Sequence, residues 1–405
     1  MQLECIACGE RYRDDEVIYA CRRCGGLLDV RYDYGEVSRE LGSSGWRKRP
    51  LGVWRYRELL PLPKSASIIS LSEGGTALIP SRRLGEDFGL KHLYVKNEGE
   101  NPTGSFKDRG MTVGVSKALQ LGARTVICAS TGNTSASLAA YAARAGLNCV
   151  VLIPAGRVAL GKVAQAVMHG AKVVAVKGSF DDALAAVREL AEELSLYLLN
   201  SINPFRLEGQ KTAAYEVWDQ LGERVPDKVI LPVGNAGNIS AYWKGFKELQ
   251  ILGLAESRPA MVGVQAEGAP PVAEAFEAHA AKINPVPSPR TVATAIRIGN
   301  PVNWKKALTA MRESGGDAET VTDAEILEAQ QLLARREGIF TEPAGAASIA
   351  ALRKLRERGV LSRDDVVICV ATGHGLKDPE IALKSCAQPT EAEASIETLR
   401  RAIGV

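Results

Sequence analysis

A doubly wound α/β architecture, preceded by a small cysteine-rich unit, is predicted by three features of these 405 residues. The first is a repeated grammar of apolar strand, small-residue loop and helix, met at four places. The second is the alternation of strands and helices from residue 71 onward, the rhythm of βαβ units. The third is a pair of Cys-x-x-Cys turns confined to the first 24 residues.

The four strand–loop–helix units carry the argument. A strand over 93–97 leads into Asn-Pro-Thr-Gly-Ser-Phe-Lys-Asp-Arg-Gly-Met-Thr at 101–112, and a helical pattern continues to Leu121. Thr-Val-Ile-Cys-Ala at 125–129 is followed by Ser-Thr-Gly-Asn-Thr-Ser at 130–135 and an Ala-rich helix to Ala145. Val-Ile-Leu-Pro-Val at 229–233 precedes Gly-Asn-Ala-Gly-Asn at 234–238 and a helix through Leu249. Val-Val-Ile-Cys-Val at 366–370 precedes Ala-Thr-Gly-His-Gly at 371–375. In a parallel sheet, loops leaving the carboxyl ends of strands gather at one crevice, where ligands bind. A helix start preceded by small residues presents free backbone N–H groups to an anion. Four loops therefore build one site, with at least one phosphate cradle.

Lys107 stands out within that site. At a loop-to-helix junction its amine is partly removed from water, which makes the neutral, nucleophilic form accessible and suits it to Schiff-base chemistry. Alone, it would read as an exposed lysine in the first turn of a surface helix; the three companion loops argue otherwise. The remaining pattern gives strands over 149–154, 172–176 and 196–200, with helices over 163–169 and 181–194. A Pro- and Ala-rich stretch over 269–297 has weak strand content and is expected to drape over the second domain. Helices over 323–336 and 344–358 lead to the last strong strand, and the tail after Pro379 reads as peripheral. Gly-Arg-Val-Ala-Leu-Gly-Lys-Val at 156–163 imitates a nucleotide-binding P-loop, but Val163 stands where magnesium needs Ser or Thr.

Cys5, Cys8, Cys21 and Cys24 form two knuckles separated by twelve residues, the layout of a zinc ribbon. Four thiolates leave no open coordination position, so the expected zinc is structural. Iron is the rival metal, and a disulfide pair or idle thiols are the rival readings. Cys128, Cys149 and Cys369 lie in apolar strands and read as core residues, while Cys386 carries no signal. A net charge of +3 points to neither nucleic acid nor an acidic membrane surface. No apolar run approaches a membrane span, and the first residues lack a secretory pattern, so a cytoplasmic protein is expected.

Six segments in order carry a family resemblance. They are Glu-Gly-Gly-Thr at 73–76, Ser-Phe-Lys-Asp-Arg-Gly at 105–110, Ser-Thr-Gly-Asn-Thr at 130–134, Gly-Asn-Ala-Gly-Asn at 234–238, Thr-Ala-Ile-Arg-Ile-Gly-Asn-Pro at 294–301 and Thr-Gly-His-Gly-Leu-Lys-Asp at 372–378. Over about three quarters of its length the chain resembles the pyridoxal-phosphate enzymes of the tryptophan-synthase-β-like fold, and most closely the threonine synthases. The resemblance implies two doubly wound α/β domains with pyridoxal phosphate in the cleft between them (fold type II). It implies the aldehyde partner at Lys107, a phosphate cradle at Gly234, Asn235, Ala236, Gly237 and Asn238, the ring oxygen at Asn133 and the ring nitrogen at Thr372. Ser130, Thr131 and Thr134 suit a substrate carboxylate, and Lys162 is placed beside the substrate pocket. The run from Asn200 to Lys211 offers two amides, a serine and two cations before a helix. Ser201, Asn203 and Arg206 there are equipped for a second phosphate, that of O-phosphohomoserine.

The expected partition is a ribbon over 1–34, an irregular connector over 35–70 and a catalytic region over 71–405, its smaller α/β part spanning roughly 95–190. A homodimer is the expected assembly. Cysteate synthase, taking O-phosphoserine and sulfite, resembles the chain over its whole length and is the nearest rival. Threonine or serine dehydratases share Ser-Phe-Lys but usually carry a tetraglycine cradle, and those with a regulatory domain need more chain. A ribbon-bearing binding protein that lost catalysis is opposed by the presence of Lys107 and of every ring-contacting residue.

Overall fold

The computed structural model describes residues 1–42, 45–155, 160–178, 180–385 and 389–404. At the N-terminus β1 (Gln2–Cys5), β2 (Arg11–Tyr12) and β3 (Leu28–Arg31) form an antiparallel sheet in the order β2-β1-β3. The connector is less irregular than expected. Helix Tyr34–Leu41 is capped by Asp33, and a 3-10 helix covers Val53–Leu59. Trp46 packs edge-on against Tyr56 at 4.9 Å and stacks on Tyr215 at 5.8 Å, so aromatic burial shapes this segment where no periodicity announced it.

Two further sheets follow. β4 (Leu78–Pro80) and β5 (His92–Asn97) begin a six-stranded sheet that the chain leaves and re-enters. β6 (Thr125–Ala129), β7 (Asn148–Pro154), β8 (Lys172–Val176) and β9 (Tyr197–Leu198) make a four-stranded parallel sheet in the order β8-β7-β6-β9. β10 (Lys228–Pro232), β11 (Ala260–Ala266), β12 (Asp317–Val321) and β13 (Val366–Ala371) complete the first, in the order β12-β11-β10-β13-β5-β4. Only β4 runs antiparallel there, at the edge.

Successive residues of these strands enter opposite cores. Val229 and Leu231 face one apolar cluster and Ile230 the other; Ile368 and Val370 alternate in the same way with Val367, Cys369 and Ala371. In the smaller sheet Val126 and Cys128 face one cluster, Ile127 and Ala129 another. Both sheets are thus covered on both faces, which is why their strands read as continuous apolar runs. Cys128, Cys149 and Cys369 are core residues as expected; Cys386 lies outside the described residues. Helix boundaries fall close to the pattern, with Lys107–Gln120, Asn133–Ala145 and Gly237–Ile251 after the first three loops. The helix expected over 344–358 is two helices, Pro343–Ala350 and Leu352–Glu357.

Candidate active site

β5, β6, β10 and β13 deliver their loops to one place. Ser105 bridges Gly373, Phe106 N donates to Thr372 O at 3.1 Å, and His374 N donates to Gly104 O at 2.8 Å. The Lys107 loop and the Thr372 loop are therefore zipped together by backbone. Around them lies a cavity walled by Lys107, Asn133, Ser201, Arg206, Gly234, Asn235, Ala236, Gly237, Asn238 and Thr372.

Lys107 opens its helix half-buried, its Nζ lying 3.8 Å from the centre of the Phe106 ring. Burial pushes the amine down to about 7, and the Arg206 guanidinium adds to that shift against the opposing pull of Glu342. The amine is therefore substantially neutral near neutral pH. Uptake of an aldehyde by the cofactor-free protein should accelerate with pH around a midpoint near 7. A midpoint near the exposed-lysine value of about 10.4 would contradict the desolvated amine.

The residues flanking Lys107 hold it in place. Asp108 accepts from Thr103 N (2.7 Å), Thr103 Oγ1 (2.6 Å) and Ser137 Oγ (2.5 Å), tying its own loop to the Asn133 helix. Arg109 is wholly buried and bridges Glu98 and Glu216, while Lys96 donates to Glu216 at 2.8 Å. Helix Pro204–Gln210 crosses the Lys107 helix so closely that a methyl on Gly209 would lie 1.8 Å from Arg109 O. That contact requires glycine, and it sets Arg206 against the cavity.

The Gly234 loop is built as an anion nest. Ala236 takes φ +63°, a left-handed conformation costly for an L-residue, immediately before helix Gly237–Ile251. Strain of this kind concentrates at ligand sites. A methyl on Gly234 would meet Ala295 O and Ile296 Cα at 3.0 Å. The side-chain oxygen of Asn235 accepts from Val302 N at 3.3 Å. Three buried polar atoms on the cavity wall, Asn238 Nδ2, Arg206 Nε and Gln210 Oε1, have no partner among the described residues. Unpaired buried polar groups are expensive, so these mark places where a polar ligand belongs.

Several expectations need correction or extension. Of the Ser130–Thr134 loop only Asn133 reaches the cavity wall; Ser130, Thr131 and Thr134 are half-buried beside it, with Ser130 Oγ accepting from Gly132 N at 3.2 Å. Asn203 is not a cavity residue. It caps its helix, accepting from Phe205 N at 3.0 Å and donating to Leu198 O at 2.9 Å, so its amide is already used. Of the two cations expected at this helix only Arg206 faces the cavity. Lys211 is buried between Glu208 and Glu248, at 2.6 and 2.8 Å. The Lys162 side chain lies outside the described residues, as do 156–159 of the P-loop imitation. The 269–297 stretch contains helix Pro271–Glu277 and contributes Ala295 and Ile296 to the cavity.

Glu342 was absent from the sequence-based site. It is buried, both its carboxylate oxygens accept from Asn133 Nδ2, at 2.9 and 3.1 Å, and one of them accepts from Thr372 Oγ1 at 3.2 Å. Burial pushes its carboxyl upward against the hydrogen bond from Asn133. The only signal was its place before Pro343 at a helix start, which reads equally well as an ordinary cap.

Residues 69–373 match the family described as pyridoxal-phosphate dependent enzymes. A threonine synthase of Methanocaldococcus jannaschii is 59% identical over 401 residues, covering 99% of both chains. The chain belongs to the pyridoxal-phosphate dependent enzymes, and within them to the threonine synthases. A threonine synthase of Methanosarcina acetivorans is 58% identical over 99% of this chain and 98% of its own. Among solved structures, maize serine racemase superposes with a TM-score of 0.65 at 22% identity, over 76% of this chain and 91% of that one, a likeness of fold. Family membership makes the chain a lyase of amino-acid biosynthesis. The left-handed nest, the desolvated lysine and the orphaned polar atoms fit pyridoxal phosphate.

Proposed function

We propose that this chain converts O-phosphohomoserine and water to threonine and phosphate, by γ-elimination of phosphate and β-addition of water. The observation that carries the reading is Arg206, 1% exposed, on the wall of the cavity that holds Lys107, with its Nε unpartnered among the described residues. Among the described residues its side chain donates from Nη1 to Leu199 O at 3.2 Å. A buried guanidinium without a carboxylate is held for an anion that the protein does not supply.

Pyridoxal phosphate, when bound, supplies an electron sink for negative charge on the substrate carbons. Lys107 would join its aldehyde, the 234–238 nest its phosphate, Asn133 its ring oxygen and Thr372 its ring nitrogen. A hydroxyl such as Thr372 does not enforce ring protonation as a carboxylate does. Glu342 stands between Asn133 and Thr372 and keeps both oriented. The freed Lys107 amine takes protons from substrate Cα and Cβ. Arg206 and Ser201 hold the phosphate as the Cγ–O bond breaks and its electron pair leaves with the phosphate. A proton then returns to Cγ, water oxygen bonds to Cβ as the water's proton passes to the released phosphate, and Lys107 returns the other proton to Cα. The start of the Asn133 helix, whose Asn133 lines the cavity, is the proposed place for the substrate carboxylate. We also take the ribbon over 1–34, the connector over 35–70 and the catalytic region over 71–405 as the units of a cytoplasmic homodimer, the smaller part, roughly 95–190, being built on the four-stranded sheet.

Zinc is the metal proposed for Cys5, Cys8, Cys21 and Cys24. Their sulfurs lie within 4.8 Å of one another, with Cys5–Cys24 at 3.5 Å, Cys8–Cys21 at 3.6 Å and Cys8–Cys24 at 3.4 Å. Tetrahedral thiolate zinc needs sulfurs ~3.8 Å apart.

The function is tested by three reactions on one preparation: phosphate release from O-phosphohomoserine, phosphate release from O-phosphoserine with sulfite, and keto-acid formation from threonine. The first is expected to dominate, with threonine as product. Two fixed anion sites measure the carboxylate-to-phosphate distance, and misplacement by about 1 Å costs on the order of a hundredfold. Arg206→Ala should lower kcat/KM for O-phosphohomoserine by roughly that factor while cofactor uptake persists. If O-phosphoserine with sulfite is the better pair, the substrate reading falls.

A further inference from the structure

Phe205, the residue before Arg206, does not pack in the core of the catalytic region. Its ring is 2% exposed and completes the apolar core of the ribbon, beside Leu3, Leu28, Val30 and the two buried metal-site cysteines, Cys5 and Cys21. A unit this small has little core of its own and needs either a metal or a partner surface to stay folded. Here it borrows a side chain from the helix that carries the phosphate ligand.

The ribbon grips the neighbourhood of Arg206 from two more directions. Tyr19 Oη accepts from Leu198 N at 2.7 Å, and the next residue, Leu199, supplies the carbonyl to which Arg206 Nη1 donates. Beyond Arg206 in the same helix, the buried Glu208 accepts from Tyr32 Oη at 2.8 Å and from Lys244 Nζ at 2.5 Å. Lys244 Nζ also donates to Val30 O at 2.7 Å. Phe205, the Leu199 carbonyl and Glu208 thus tie the surroundings of Arg206 to the ribbon, beside the packing of its helix on the Lys107 helix. Lys107, Asn133, Thr372 and the 234–238 nest sit on other loops and have no side chain in the ribbon core.

We propose that the metal-loaded ribbon is the positioning device for Arg206, with Phe205 as the residue that transmits its order. Metal occupancy then sets affinity for the substrate's phosphate and leaves the cofactor site intact. This rests on the reading of Arg206 as the phosphate ligand. Without metal, the turns bearing Cys5 and Cys21 lose their common tie, the ribbon core loosens around Phe205, and the helix start that aims Arg206 gains freedom. Phe205 touches neither substrate nor cofactor.

The experiment removes the metal from the assembled, cofactor-loaded enzyme with a chelator and a thiol-specific reagent. Four quantities are read: KM and kcat for O-phosphohomoserine, the visible absorbance of the bound cofactor, and the Kd of inorganic phosphate by calorimetry. Metal removal is expected to raise KM and the phosphate Kd by about tenfold, a change of about 1.4 kcal/mol, with kcat and absorbance little changed. Phe205→Ala in metal-loaded enzyme should produce the same split, Phe205→Leu should restore most of it, and metal removal should add little to Phe205→Ala. Unchanged phosphate affinity after metal removal overturns the proposal. So does a joint loss of kcat and absorbance, or a leucine variant no better than alanine. Should Phe205→Ala fail to fold, the chelation arm decides alone. Phosphate binding is read without turnover, so rejection of O-phosphohomoserine would sink the substrate reading separately.

Discussion

Lys107→Ala is expected to lose turnover by roughly a thousandfold or more while the protein keeps its shape and its cavity. The amine has two uses, joining the cofactor's aldehyde and carrying protons at the substrate carbons, and alanine removes both. Stability should not suffer, because the substitution withdraws a desolvated amine beside the Arg206 cation. The measurement is threonine formation together with borohydride trapping. In the parent protein, reduction should fix the cofactor to the single peptide containing Lys107; in the variant, to none. Trapping at another lysine, or a parent protein that stays colourless after reconstitution, would remove the assignment.

The second large effect is on stability. Arg109, two residues after Lys107, makes four short hydrogen bonds to Glu98 and Glu216 at 2.6 to 2.8 Å, all three side chains being fully buried. Lys96 supplies the second cation, and Gln220 and the Thr76 carbonyl satisfy its remaining protons. Arg109→Ala would leave two buried carboxylates facing one lysine, a change expected to destabilise by about 3–5 kcal/mol. Arg109→Lys keeps the charge but cannot reproduce the fork, so an intermediate loss is expected. The pH dependence has a definite sign. Burial raises the Glu216 carboxyl, but Arg109 and Lys96 overcome it and hold the group well below the ordinary glutamate range. Its stabilisation is therefore complete above that range and is lost as pH falls toward the lowered value. Removing Arg109 should move the onset of acid unfolding to higher pH. Denaturant melts showing a change under about 1 kcal/mol would mean that the network contributes little.

Local pattern carried much of the site because its chemistry is concentrated in strand ends and helix starts. Lys107, Asn133, the 234–238 nest and Thr372 each sit at such a junction, and the parallel registers of β5, β13 and β10 bring three of the four loops to one edge. Glu342 was not legible, since one glutamate before a proline has no periodicity to single it out. Asn203 was overread for the opposite reason: a polar residue before a helix serves equally as ligand or as cap, and only its two hydrogen bonds distinguish the roles.

Strand type, helix starts, the cysteine knuckles and the place of the candidate lysine are set by short-range residue pattern, because hydrogen-bonding period and thiolate spacing are local quantities. The buried ion network, the orphaned Arg206 and the joining of Phe205 to the ribbon core link residues as much as 202 positions apart in the chain. They depend on which buried charge finds which partner and on how much water is excluded around it. Those are properties of packing, and they exist only after the two sheets and the ribbon have closed on one another.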